Sequence, residues 1–151
     1  MGFSKEQADE MQRRVLEAKV VTWPIMDGAV IPNAIIINID PIGAPRQSRR
    51  DVWKPSPRVL RYRAWKDLFV AEAKKAGWEL GSELRVEFII AMPDSWSKKK
   101  KTAMLGQPHQ QRPDIDNLCK AVMDAFGTED GHVHSLTATK KWGERGMITI
   151  H

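Results

Sequence analysis

Two aspartates stand one residue apart in the segment Arg112-Pro113-Asp114-Ile115-Asp116-Asn117-Leu118; a lysine follows at position 120, and a further acid pair, Glu129-Asp130, comes later. Carboxylates this close repel one another, and a hard divalent cation relieves that repulsion. Mg²⁺ takes oxygen ligands and is typically held through one or two carboxylates, with water and substrate phosphate completing its shell. The surrounding chain is basic, with 24 Lys and Arg against 19 Asp and Glu, a net charge of +5 and a pI near 9.5. Together these features point to metal-assisted phosphodiester chemistry on a polyanionic partner. An ordinary reading competes with it. Asp at a helix start often serves as a cap, and acids in the first turn favour the helix dipole. Asp116 and Lys120 at i,i+4 could be a surface pair contributing roughly 0.2–0.5 kcal/mol.

The elements that must position these residues can be traced in the periodicities. At about 100° per residue, Leu118, Ala121, Val122 and Ala125 gather on one side of a helix, and Asp116, Asn117, Lys120 and Asp124 on the other. Pro113 disfavours helical geometry at Arg112, which places Asp114 at the junction of loop and helix. In a continuous helix Asp114 and Asp116 would diverge by roughly 200°; in a non-helical N-terminal segment they can converge on one ion. Gly127 ends the helix, so Asp130 must return from the loop beyond it.

Upstream, Ile35 to Ile39 is short and β-branched, as a buried strand requires. Pro57 opens a helical pattern with Leu60, Ala64, Leu68 and Ala71 on one face, stopped by Gly77. Leu84, Val86, Phe88 and Ile90 alternate as a strand ended by Pro93, and a lysine-rich loop leads to the acidic helix. Two more strands are expected over about 133–141 and 146–151. The order β-α-β-α-β-β implies an α+β fold, a mixed sheet with helices packed on it.

Residues 1–33 read as an appendage. Ser4 with Gln7 fits a capping box, and Ala8, Met11, Val15 and Ala18 repeat at helical spacing through about Lys19. Pro24, Gly28 and Pro32 then mark a linker. The compact domain is expected over residues 34–151.

Composition limits the possible classes. The 151 residues suit one domain with its own core. The single cysteine, Cys119, excludes an internal disulfide framework and a cysteine zinc cluster; beside the apolar helix face it reads as a small buried hydrophobe. No apolar run approaches the roughly 20 residues of a membrane span, and Met1 to Glu6 lacks a signal-peptide core, so a cytoplasmic protein is expected.

Basic residues cluster twice. Between Pro41 and Lys66 there are eight, among them Arg46, Arg49, Arg50 and Arg58, against one acid, Asp51; Lys98, Lys99, Lys100 and Lys101 form the second group. Both suit phosphate contacts, which supply affinity without sequence preference. A solvated surface is the bland alternative. Trp53 and Trp96 adjoin these clusters and could stack on unpaired bases, with packing in the core or an interface as the ordinary alternative for each. His132 and His134 share a strand face at a spacing that suits a transition metal, although surface decoration explains such a pair equally well.

The string from Arg112 through Lys120 to Asp124-Ala125-Phe126, followed by Glu129-Asp130, resembles the RusA family of Holliday junction resolvases. The likeness extends to Met92-Pro93-Asp94-Ser95-Trp96-Ser97, to Arg61-Tyr62-Arg63-Ala64-Trp65-Lys66, and to about 115 residues from Ala34 onward. The resemblance implies a homodimeric endonuclease, bacterial or phage-encoded, that uses Mg²⁺, with Mn²⁺ as a substitute, to nick four-way DNA junctions symmetrically. It implies Asp114, Asp116 and Asp130 as catalytic carboxylates and metal ligands, Lys120 as the catalytic lysine, and a supporting role for Asp124. Two rivals differ in class. A junction-binding protein without activity would not need the three aspartates together, and a D-x-D transferase would need a nucleotide pocket, for which there is no Gly-rich phosphate loop.

Overall fold

The structure, a computed structural model, describes residues 4–6, 34–127 and 130–151. The expected N-terminal helix and linker therefore lie almost wholly outside the described residues, as does Glu129.

Four strands form one mixed sheet in the order β1-β4-β2-β3. Strand β1 spans Ile35–Ile37, β2 Glu83–Ala91, β3 Ser135–Gly143 and β4 Met147–Ile150. The last two are the terminal strands expected from the sequence, joined by a tight turn. They do not pair with each other: β4 inserts antiparallel between β1 and β2, while β3 runs parallel to β2 from Glu83↔Ser135 to Ala91↔Gly143. A parallel pair needs a crossover, and here the crossover carries the acidic helix. A mixed sheet with helices packed on it puts the fold in the α+β class.

Among the described residues from 34 onward, four α-helices accompany the sheet: α1 (Arg50–Trp53), α2 (Pro57–Lys75), α3 (Lys98–Met104) and α4 (Ile115–Ala125). Helix α2 starts as the sequence requires, with Pro57 at its first position and the Ser56 hydroxyl accepting from the Val59 amide at 3.4 Å. It ends in a Schellman turn: the Trp78 amide donates to the Ala73 carbonyl, the Gly77 amide to that of Lys74, and Gly77 takes φ +74°. Its buried face differs from the aliphatic stripe expected. Val59, Tyr62, Trp65, Phe69 and Ala73 are buried, while Leu60 is exposed and Ala71 points to solvent. The physical reason is area plus satisfied polar tips. Aromatic rings bury more surface than Leu or Ala, and Trp65 Nε1 donates to the Asp40 carbonyl at 2.9 Å while the Tyr62 hydroxyl donates to Asp124 at 2.9 Å.

The lysine run expected as a loop is helix α3. The Ser97 hydroxyl caps it by accepting from the Lys100 amide at 3.2 Å, and lysine is itself a good helix former.

The core gathers Ile35 and Ile37 of β1, Leu84, Val86 and Phe88 of β2, and Ile148 and Ile150 of β4 beneath the aromatic face of α2 and the apolar face of α4. Helix α4 buries Leu118, Cys119, Ala121 and Val122, close to the expected stripe. Burial, and then the neighbouring Asp116, push the Cys119 thiol up to about 11, so it stays protonated at neutral pH as an inert small hydrophobe.

A candidate acidic cleft on a basic loop

Helix α4 is anchored at three levels, and these fix where its polar face points. At its start, the Ala44 amide donates to the Asn117 carbonyl at 3.0 Å, and Gly43 packs so close that a Cβ there would meet Pro113 Cβ at 3.2 Å. In its last turn, Asp124 accepts the Tyr62 hydrogen bond from α2. Just past the end, Phe126 sits edge-on to Phe69 at 5.9 Å and to Trp78 at 5.1 Å, and Gly127 turns the chain with φ +61°.

The aspartates occupy the opposite, open side. Asp114 is the residue before the helix, with extended φ −70° and ψ 144°. It is thus non-helical, at the junction of loop and helix expected from Pro113. Its side chain makes no capping bond. Asp116, Lys120 and Asp114 are exposed, and among the described residues Asp116 and Lys120 make no ion pair with each other. Two ordinary explanations, a cap and an i,i+4 pair, therefore find no support in the geometry, whereas Asp116 does stand in the first turn, where the helix dipole favours an acid. Asp130 begins a short 3-10 turn, Asp130–His132, on the path from α4 to β3; its side chain lies outside the described residues. No cluster of three His, Cys, Asp or Glu side chains gathers among the described residues.

A cleft of about 1070 Å³ joins Asp114 and Lys120 to the first basic cluster; Asp116 stands beside it on the first turn of α4 and does not line it. Its walls are Ala44, Pro45, Arg46 and Arg58 on one side and Arg112, Pro113, Asp114, Asn117 and Lys120 on the other. The structure thus brings Arg46 and Arg58 to Asp114 and Lys120. Arg49 and Arg50 lie between those two arginines in sequence, at the start of α1. Lys98 to Lys101 belong to α3 and do not line this cleft. Sequence reasoning passed over Arg112 and Asn117 as cleft residues, although both stand inside the quoted motif.

The loop that delivers Asp114 has its own clamp. The Lys140 ammonium, from β3, donates to the backbone carbonyls of Gln111, at 2.5 Å, and Pro113, at 2.8 Å. A contact spanning 27 residues leaves no local trace, which is why no periodicity or motif marks Lys140. Lys140→Met should leave both carbonyls without their cationic donor and loosen the segment bearing Asp114. Hydrogen bonds to charged groups contribute about 1.5–3 kcal/mol. The expected outcome is a loss of unfolding free energy of about that size, read as a lower urea midpoint than that of the wild type.

His109 lies behind this clamp. It is 3% exposed, its ring is 4.2 Å from that of Trp142, and its Nδ1 has no hydrogen-bond partner. Burial first, then the positive charge of Lys140, hold its pKa below 6.5. The unfolded chain therefore takes up a proton before the folded one does, and stability falls as pH drops from about 6.5 through the lowered folded value. Urea midpoints measured from pH 7.5 to 5 should decline more steeply in the wild type than in His109→Gln; equal slopes would contradict this.

The histidine pair does not form a strand site. Strand β3 begins at Ser135, leaving His132 in the 3-10 turn and His134 just before the strand, where its amide donates to the Ser82 carbonyl. No helix among the described residues is long and apolar enough to cross a membrane.

No curated protein matches the chain. The family model described as endodeoxyribonuclease RusA matches residues 38–151, which include strands β2 to β4, helices α1 to α4 and the whole cleft, and the chain therefore belongs to the RusA endodeoxyribonuclease family.

Proposed function

We propose that this protein resolves four-way DNA junctions by metal-dependent hydrolysis of one phosphodiester in each of two opposed strands, acting as a homodimer. The observation that carries the reading is the shared cleft, in which Arg46, Arg58 and Arg112 stand around Asp114, Asn117 and Lys120. Cations that hold a phosphate backbone beside unpaired carboxylates suit a nuclease. A binding protein would gain nothing from the carboxylates, which weaken its hold on DNA.

The donor set fits a hard cation. Asp114 and Asp116 offer carboxylate oxygens free of capping bonds and ion pairs, and Asp130 would complete the set from its 3-10 turn. When bound, Mg²⁺ or Mn²⁺ lowers the pKa of water and neutralises charge on the phosphate. The chain's own residues do the rest. Arg46, Arg58 and Arg112 seat the backbone and fix its register. Lys120, a compact point charge, stabilises the oxygens on which negative charge grows. Asp124, held by Tyr62, keeps the polar face of α4 turned to the cleft. Arg49, Arg50 and Lys98 to Lys101 extend the phosphate contacts beyond it. Residues 34–151 form the nuclease domain in this reading, and residues 1–33 an appended helix and linker.

Paired cuts need two sites related by a two-fold axis, and a C₂ homodimer is the commonest closed assembly. Sedimentation without DNA should give about 34 kDa, twice the 17.2 kDa chain. Mapping nicks with each junction strand labelled in turn should place them at equivalent positions in opposed strands. A monomer that makes unpaired nicks would refute the symmetric mechanism.

A further inference from the structure

The loop between the two cleft arginines is built as a rigid projection. Its one acid, Asp51, is turned inward: one carboxylate oxygen accepts from the Ser48 amide at 2.7 Å and the Ser48 hydroxyl at 2.9 Å, and the other from the Ser56 amide at 3.2 Å. These bonds, the Ser48 amide foremost, hold its carboxyl below the usual carboxylate range. A single side chain thus ties together both ends of the segment 48–56, and the loop's only negative charge is spent on its own backbone.

What the tied loop presents outward is apolar and cationic. Trp53 is 89% exposed and Val52 72% exposed, with Arg49, Arg50, Lys54 and Arg58 around them in sequence. An indole left in water beside four cations suits neither a core nor a neutral interface. Trp96 supplies the contrast, because its ring lies 4.8 Å from that of Trp142 and beneath the Lys100 ammonium at 4.2 Å. The stems of the loop, Arg46 and Arg58, line the cleft. Five residues separate Trp53 from Arg58, at most roughly 16–18 Å of chain.

We infer that Trp53 is a branch-reading contact: its indole stacks on a base face exposed at the junction centre while the flanking arginines hold the adjoining phosphates. The inference rests on the junction-resolving function proposed above and names the feature of the substrate that this chain recognises. Base faces inside a duplex are covered by their neighbours. They become available where strands part, and stacking on an aromatic ring tolerates any base. An exposed tryptophan on a tied cationic loop therefore favours branched over linear DNA without reading sequence. A second copy of the chain is the other occupant this surface could take, but four clustered cations disfavour self-association.

The test uses the full chain in EDTA, so that DNA stays uncut, with a four-way junction carrying 5-iododeoxyuridine either at the branch point or within an arm. Irradiation and peptide mapping should give a cross-link at Trp53 from the branch-point base and none from the arm. Trp53→Ala should weaken junction binding about 10- to 100-fold and change duplex binding less than about twofold, while Trp53→Phe keeps most of the affinity. At this exposed position none of these changes touches the core. Unchanged junction binding, or equal loss on junction and duplex, would overturn the inference. So would a Trp53→Ala chain that sediments as a monomer yet binds junctions normally, which would make the loop a self-association surface. A wild type with no preference for junctions over duplex would instead sink the proposed function, and this inference with it.

Discussion

Asp116→Asn abolishes cleavage, by at least about a thousandfold, and leaves junction binding intact or tighter; this is the largest effect expected of any single substitution. Metal assistance to phosphoryl chemistry amounts to several kcal/mol, and each 1.36 kcal/mol is a factor of ten in rate. Asn keeps the shape of the side chain but removes the charge that, in the proposed mechanism, would hold a cation. It also removes a negative charge beside the proposed DNA-facing cleft, one turn from Lys120 on its wall, which is why affinity should not fall. Asp116 is exposed and makes no ion pair among the described residues, so the loss cannot come from unfolding. Metal-free thermal stability should be unchanged or higher, because repulsion from Asp114 is relieved. Single-turnover cleavage and filter binding on the same preparation separate the two effects. A purified variant that cuts at the wild-type rate in ordinary Mg²⁺ would remove Asp116 from the metal site.

Lys120→Ala should lower the single-turnover rate about 100- to 1000-fold, the range for losing one preorganised donor at a developing oxyanion, and change junction affinity no more than about threefold. The asymmetry follows from where the charge acts. Lys120 stands at the cleft wall one turn from Asp116, among three arginines that already neutralise backbone phosphate. One cation more or less matters little to ground-state binding. The pentacoordinate phosphate, in contrast, gains charge that only a nearby cation can meet. Lys120→Arg should recover only part of the rate, since the guanidinium is broader and its donors are fixed in a fork. A Lys120→Ala chain that cuts normally but binds junctions weakly would move this residue to the phosphate-contact set.

The parts of this molecule legible in its sequence are those governed by local rules. Helix α4 could be outlined from the spacing of Leu118, Ala121 and Val122 and from Gly127, because period and cap are properties of neighbouring residues. Strand β2 declared itself by alternation over Leu84, Val86 and Phe88. Where local signals compete, the reading went astray. On α2 the aliphatic positions 60, 64, 68 and 71 form a plausible stripe, yet Tyr62, Trp65 and Phe69 face inward because their rings fill more of the core and their polar tips find Asp124 and the Asp40 carbonyl. Charge misled over α3, where four lysines look like a loop until Ser97 is seen to cap them.

The candidate site was legible in its chemistry and hidden in its supports. Asp114, Asp116 and Lys120 stand within seven residues, and the motif itself draws attention to them. The partners that orient them come from far along the chain. Tyr62 reaches Asp124 across 62 residues, and Lys140 reaches the Pro113 carbonyl across 27. The convergence of Arg46 and Arg58 on the same cleft depends on Gly43 and Ala44 docking against the start of α4. Only the folded chain brings such pairs together. The tie made by Asp51 is different: its partners, Ser48 and Ser56, are close in sequence, but a lone acid in a basic loop carries no signature of which way it faces.

The measurement that bears most directly on the central claim compares a synthetic four-way junction with linear duplexes built from the same arm sequences, each incubated with the full-length protein in Mg²⁺ and in EDTA. A metal-dependent junction resolvase should cleave the junction alone, only in Mg²⁺, with activity lost on adding salt as the cleft arginines are screened from the backbone. Cleavage that persists in EDTA, or that consumes duplex as fast as junction, would contradict that claim.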